Sequence, residues 1–526
     1  MLGLELVVVL GATLLLAGVV ARRLRIAPPI LLLLCGILLG FVPALREVHL
    51  PPEAMLLLFL PALLYWESLT TSLREIRSNL RVIVLASTLL VIATAAAVAA
   101  VGHALGLPWG PAWVLGAALA PTDATAVGVL ARALPRRTVT TLRAESLVND
   151  GTALVVYGLA VGVTVGEESL GTLHVSGLFL LSYGGGALAG VVVAWLATQA
   201  RRRLDDALLE NVLILLTPFS AFLLAELVEA SGVLAVVVCG LIMSQVGPRV
   251  GRADSRQLTV AFWTLSTYLL NGALFVLVGL EVQSATRGLT STDLSRGLFA
   301  VAVVSAVVIG VRFAWLFTMP YVIRALDRRP QQRLRRVGPR GRVVNGVAGF
   351  RGAVSLAAAL AVPTTVASGE PFPGRDLIVF VTAGVIAVTL LQGLVLPAVV
   401  RWARLPHDTS VEEESRLAQT EATGTALAAL PVVAAELGID PDVVERTRRE
   451  YEEHLHVIHQ GVDEDDEPVT RHEEQYTALR LALLARKRAT VVALRDEQRI
   501  DDIVLRQFQA RLDIEEVRLS RPDPVE

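Results

Sequence analysis

Apolar runs of bilayer length fill the first 404 residues, and a water-soluble core has no use for so many of them. A hydrocarbon layer takes about 20 mostly apolar helical residues per crossing. Thirteen stretches qualify: 3–21, 28–45, 54–69, 82–102, 110–131, 142–165, 174–198, 209–229, 231–246, 258–282, 297–320, 343–363 and 377–400. Backbone polar groups in lipid must be satisfied within their own segment, so each run is read as a helix. The expected fold class is an all-α polytopic membrane protein with 13 transmembrane helices. The first run has no basic residue ahead of it, and Arg22, Arg23 and Arg25 follow it, so it is read as a retained span rather than a cleaved signal.

Arginines orient the spans. With the N-terminus outside, the connections on the cytoplasmic side hold 26 arginines, and the opposite connections hold only Arg46, Arg287, Arg296 and Arg375. Basic loops are retained on the cytoplasmic side, so the reading is a multi-pass protein of the cell (plasma) membrane with its C-terminus in the cytoplasm. The charge balance then reverses. Residues 1–404 carry 32 basic and 21 acidic side chains, and residues 405–526 carry 15 and 28. The expected domains are a transmembrane domain over 1–404 and a cytoplasmic, mostly helical domain over 405–526.

The net charge of −2 argues against nucleic acid as the main partner. Cys35 and Cys239 each lie inside an apolar run and suggest neither a disulfide nor a metal site. In the tail, Val432, Val433, Leu437, Leu479, Leu481 and Leu484 suggest amphipathic helices separated by Pro431, Pro441 and the acidic run Asp463–Glu467. His454, His456, His459 and His472 lie near that run, but their spacing fits no standard metal site, and a solvated charged face is the preferred reading.

Charge inside lipid costs at least about 2.5–3.5 kcal/mol per side chain on insertion scales, so such residues are paired, hydrated or functional. Five ionisable residues fall well inside the runs: Asp123, Glu145, Asp150, Arg312 and Arg351. In Pro121-Thr122-Asp123, the proline removes a backbone donor and interrupts the fifth run. The break frees carbonyl oxygens and Thr122 adds a hydroxyl, which are hard oxygen ligands for a small cation. Asp123 is placed to balance the positive end of the half-helix that follows.

In the next run, Ser146 and Asp150 share one helix face, and Glu145 and Asn149 share another. Asp150 follows Arg143 by seven residues, which places it roughly 10 Å into the membrane. An isolated carboxylate there must be neutralised by a proton or a metal cation. Around Arg351, three glycines (Gly346, Gly349 and Gly352) make a poor ordinary helix and suggest a second broken one. Arg351 needs a carboxylate, and Glu145 is the first choice; Arg312 has Asp123, Glu281 or freed carbonyls as candidates. The two interrupted runs lie seven apart, an odd offset that reverses direction across the membrane, as inverted repeats with two discontinuous crossing helices require.

These motifs, Pro121-Thr122-Asp123, Glu145-Ser146-x-x-Asn149-Asp150 and Gly349-x-Arg351-Gly-Ala-Val-Ser355, resemble those of the cation:proton antiporter superfamily, in particular the electroneutral sodium/proton exchangers of the NhaP/NHE type. The resemblance covers about residues 1–404. It implies a homodimer whose mobile six-helix core carries the ion by an elevator-like movement. It implies that Asp150 exchanges cation for proton, that Asn149 stands where electrogenic relatives have a second aspartate, and that Ser146 and Thr122 help bind Na+. Glu145 and Arg351 correspond to a stabilising ion pair, and Asp123 to the charge compensating the crossed half-helices. Ala124 and Phe350 depart from the common pattern.

The function expected is electroneutral Na+/H+ antiport serving pH homeostasis, one sodium for one proton, with both competing for Asp150. K+/H+ antiport on the same fold and a transporter-derived pH or ion sensor are the alternatives, with K+ or Li+ in place of sodium. The partners are the ions and membrane lipid. No cofactor is expected: the chain has no G-x-x-x-x-G-K-[ST] loop, and no His-Glu-x-x-His or Gly-x-Ser-x-Gly motif points to an enzyme.

Overall fold

The computed structural model describes residues 2–24, 28–42, 55–123, 134–166, 172–250, 253–287, 291–326, 337–405, 408–460, 467–497, 499, 509, 511–517 and 519. They form two compact units, Met1–His407 and Asp408–Glu526.

The described elements of the first unit are helices, joined by short irregular stretches. Its elements are α1 (Leu2–Leu24), α2 (Pro28–Leu39), α3 (Leu60–Thr70, entered through a π turn over Met55–Phe59), α4 (Leu73–Leu85), α5 (Val91–Ala104), α6 (Trp109–Leu119), α7 (Arg136–Val165), α8 (Thr172–Arg201), α9 (Ala207–Leu227), α10 (Gly232–Val250), α11 (Ala253–Arg287), α12 (Ser291–Leu326), α13 (Pro339–Val347), α14 (Ala353–Leu360) and α15 (Arg375–Ala403). Among the described residues, nine helices are long and apolar enough to cross a membrane. Four of the thirteen expected runs, 28–45, 54–69, 110–131 and 343–363, hold only shorter helices among the described residues.

The segment after the third run differs from its expected form as a basic loop. Arg74, Arg77 and Arg81 sit on α4, which continues through a second π turn (Ala86–Leu90) into α5. Ile76 and Ile83 are buried and lie seven residues apart, two turns along one face, while the arginines occupy others. Basic side chains on one face of an amphipathic helix carry the same loop-like composition, and so the sequence conceals the helix.

Local chemistry sets several ends. Asp206 caps α9, its carboxylate accepting from Leu208 N at 2.7 Å and Leu209 N at 3.0 Å. α7 stops at Gly166, whose φ of 95° suits a residue without a side chain. Helices in lipid gain little from the hydrophobic effect and associate through close packing, which small residues permit. α2 and α11 show this. A Cβ on Gly36 would strike the Val276 carbonyl, and one on Gly279 would strike the Leu33 carbonyl.

The interior falls into separate buried clusters. One gathers Leu33, Phe275, Phe350 and Ile386. A second holds Leu115, Val304 and Val381, and a third Leu60, Tyr65, Val236 and Trp263. The functional cavity lies among residues of α3, α7, α11 and the segments flanking α6 and α14.

In the second unit, α16 (Ser410–Leu437), α17 (Pro441–Gln460) and α18 (Glu467–Asp496) follow. Pro431 lies inside α16 rather than between helices. It removes one backbone bond, and the helix continues to Gly438, which takes a left-handed φ of 65°. Pro441 opens α17, where its missing N–H costs nothing. Arg480 pairs with Glu515 at 2.7 Å, and Arg488 with both Asp513 and Glu516. Leu484 and Leu512 are buried. The side chains of His454, His459 and His472 and the acidic residues 463–466 lie outside the described residues, while His456 is exposed.

Candidate functional site

Two interruptions of the helical backbone meet at the site. α6 ends at Leu119 and residues 120–123 leave the helix at Pro121. α13 ends at Val347, and Ala348 to Gly352 separate it from α14. The two stretches run side by side: Asp123 N donates to Phe350 O at 2.8 Å in an isolated antiparallel bridge. Each interruption thereby satisfies backbone groups that the other exposes. The helical arm expected after Asp123 lies over residues 124–131, outside the described residues.

Two glycines permit this approach. A Cβ on Gly352 would fall on the Asp123 carboxylate, and one on Gly349 on the Arg312 guanidinium.

The two buried arginines divide their duties differently from the expected pattern. The sequence pairs Glu145 with Arg351; in the structure Arg312 Nη1 donates to Glu145 Oε1 at 2.8 Å, and Arg312 Nε donates to Asn345 O at 3.1 Å. Arg351 instead serves carbonyls, with Nε donating to Leu119 O at 3.1 Å and Nη1 to Gly349 O at 2.7 Å. Its backbone N donates to Thr389 Oγ1 at 3.2 Å. The physical reason is supply. The last carbonyls of an interrupted helix have no intrahelical donor, and the planar five-donor guanidinium of Arg351 lies beside them. The Glu281 side chain lies outside the described residues.

α7 brings the remaining motif residues to the crossing. Ser146 Oγ donates to Thr122 O at 2.7 Å, and Asn149 Nδ2 donates to Thr122 Oγ1 at 2.8 Å. Thr122 is thus held at both its carbonyl and its hydroxyl. Each of those oxygens keeps a second lone pair.

A cavity of about 30 Å³ opens beside this clamp. That volume suits a water or a small, largely dehydrated cation. Thr122, Asp123, Ser146 and Asp150 form one wall. α3 and α11 complete much of the lining, through Leu60, Leu63, Leu64, Glu67 and Asn271. Asp150 is buried, and Glu67 is half-buried. Among the described residues, no hydrogen bond or ion pair reaches either carboxylate. Arg312 is committed to Glu145 and Arg351 to carbonyls.

Asp150, Ser146, Thr122 and Asp123 therefore share one cavity. Asn149 stands behind them as the clamp on Thr122, and Glu145 and Arg351 lie outside the lining. Glu67 and Asn271 are absent from the sequence-derived set. Glu67 falls two residues from the end of its apolar run and reads as an interfacial residue, whereas the helix continues past it. Asn271 carries no charge, so a search for ionisable groups in apolar runs passes over it. A polar side chain in the middle of the 258–282 run was the available signal.

A profile of the family described as "Sodium/hydrogen exchanger, transmembrane" matches residues 11–402. The chain is 48% identical over 528 residues to the Mycobacterium tuberculosis (strain H37Rv) protein named "Uncharacterized Na(+)/H(+) exchanger Rv2287", which spans all of this chain and 97% of the relative. It is 30% identical to the "Sodium, potassium, lithium and rubidium/H(+) antiporter" of Bacillus pumilus, over 74% of this chain and 60% of that one. Among solved structures, the sodium proton antiporter MjNhaP1 from Methanocaldococcus jannaschii at pH 8 superposes with a TM-score of 0.57 at 19% identity, covering 77% of this chain and 99% of that chain. At that identity the likeness concerns the fold alone. The profile match over most of the chain and the full-length relative identify the chain as a multi-pass membrane protein of the sodium/hydrogen exchanger family.

Proposed function

We propose that this protein exchanges one sodium ion for one proton without net charge transfer, and that the two compete for Asp150. The observation that carries the reading is Asp150, which lines a cavity of about 30 Å³ with Asp123 and Glu67 and whose carboxylate meets no hydrogen bond or ion pair among the described residues. An uncompensated carboxylate in a poorly hydrated interior is costly, by several kcal/mol even after relaxation. A proton or a metal cation removes that cost. Sodium is held by the Asp150 carboxylate together with the Ser146 and Thr122 oxygens, while Asp123 contributes charge across the cavity.

The scaffold reading follows the same chemistry. Thirteen crossings, with the fifth and twelfth interrupted and related by inverted repeats, place the crossing of the two interruptions at mid-membrane. Asn149 fixes the Thr122 hydroxyl, Arg312 holds Glu145, and Arg351 ties the interrupted backbones. The core reorients in an elevator-like movement when Asp150 is neutralised and stalls when it is bare, because a bare carboxylate faces the full desolvation penalty. The arginine bias places the N-terminus outside and the tail in the cytoplasm, in a plasma-membrane homodimer.

The test is sodium-driven proton flux through the purified full chain in proteoliposomes. Asp150→Asn abolishes exchange in this reading; substantial surviving flux refutes it. Potassium is the second reading, favoured by the range of ions in the name of the Bacillus pumilus relative. Sodium, potassium and lithium competed against one another in the same vesicles decide between them.

A further inference from the structure

The cavity lining holds a group that the exchange cycle above does not use. Asn271 lies in the middle of α11 and lines the cavity together with Asp150 and Ser146. Its helix is fixed independently of the site. Leu274, Phe275 and Val276 are buried, Gly279 abuts α2, and a Cβ on the adjacent Gly272 would strike the Leu14 side chain. The Asn271 amide is half-buried, and among the described residues no hydrogen bond holds it. An amide in an apolar interior is unfavourable unless some partner uses it, and the space it faces is the cavity.

We propose that Asn271 is a specificity-determining ligand, whose side-chain oxygen contacts the cation, directly or through one water, from the α11 side of the cavity. The proposal rests on the reading that a cation occupies this cavity. Its chemistry differs from that of the carboxylates in one respect. A carboxylate binds a proton or a metal ion, and therefore serves both halves of an exchange. An amide oxygen accepts no proton at physiological pH, so it stabilises only the metal-loaded form. Asn271 thus biases the competition at Asp150 toward the cation without altering how the acid holds its proton. A neutral oxygen on the cavity wall also suits a small hard cation, which takes oxygen ligands.

The experiment measures sodium KM over a range of pH for the full chain in proteoliposomes. Under simple competition, sodium KM rises linearly with proton concentration. The intercept gives sodium affinity, and the ratio of slope to intercept gives proton affinity. Asn271→Ala raises the intercept roughly ten-fold, the scale of one lost contact to a charged group, and leaves the ratio unchanged. Asn271→Ser, which keeps an oxygen on a shorter side chain, falls between the two and supplies the readout should the alanine variant fail to assemble. An unchanged intercept in a variant that assembles overturns the assignment, as does a change confined to the proton ratio, which a merely structural amide would produce. Asp150→Asn, run alongside, separates the two failures. Flux surviving in Asp150→Asn removes the cavity as the exchange site; a dead Asp150→Asn with unaltered sodium affinity in Asn271→Ala removes only Asn271.

Discussion

Replacing Glu145 by Gln removes one charge from a buried pair and leaves the other without a countercharge. Arg312 and Glu145 meet at 2.8 Å, with side-chain exposures of 3% and 9%. At that separation two unit charges attract by about 6 kcal/mol for an effective dielectric of roughly 20. Desolvation of both groups offsets much of this in the intact pair. The loss of one partner does not restore the solvation of the other, so the expected destabilisation is about 3–5 kcal/mol. Arg312 then keeps its bond to Asn345 O and a neutral amide oxygen in place of the carboxylate. Unfolding by SDS titration in mixed micelles, followed through the fluorescence of the buried Trp263, reads the change. Combining Glu145→Gln with Arg312→Gln recovers part of the loss and gives a coupling of about 2–3 kcal/mol. The cycle of Glu145 with Arg351 gives a smaller one, since Arg351 bonds to Leu119 O and Gly349 O. Unaltered stability of Glu145→Gln, or a larger coupling with Arg351 than with Arg312, refutes the pairing.

Gly352→Ala places a methyl group on the Asp123 carboxylate; overpacking of this kind costs about 1–3 kcal/mol, and the variant is expected to assemble in the membrane while losing most sodium-dependent flux, with wild-type flux as the refuting result. In the tail, hydrogen bonds from Arg488 to Glu516 and Asp513 hold its guanidinium above the ordinary arginine range. A raised basic group keeps its stabilising charge at all pH below its unfolded value, so raising the pH from 7 to 10 leaves the contact between α18 and residues 511–517 intact. Salt screens exposed charges and loosens it; hydrogen exchange over 511–517 that accelerates on going to pH 10, after correction for the intrinsic rate, and ignores salt contradicts this.

Membrane character was legible because it rests on composition over long windows, and neither local geometry nor partner choice affects it. The interruption at Pro121 and the glycine-rich stretch around Arg351 were legible for a similar reason, since proline and glycine act on the backbone wherever they occur. Partner choice was not. Arg312 and Arg351 are chemically identical and both lie deep in apolar runs, and only the packing of α12 against α13 gives Glu145 to the first. Glu67 shows a further limit. Its depth depends on where the helix is taken to end, and a run of apolar residues does not mark that point when a separate amphipathic helix follows so closely. Asn271 shows the third: a neutral amide leaves no trace in a charge inventory, yet it occupies the same cavity wall.

The cavity has walls of two origins. Thr122, Asp123 and Ser146 are tied by hydrogen bonds to the interrupted backbones, and Asp150 shares the helix of Ser146, whereas Glu67 and Asn271 belong to α3 and α11. If the exchange proposed above carries the ion with the half built on the interrupted backbones, sodium would leave behind the oxygen atoms of α3 and α11 and arrive at the opposite face less firmly gripped. Transport of that kind would be lopsided: one side of the membrane would offer tight capture and the other easy release, while the gradients alone still dictate the net direction.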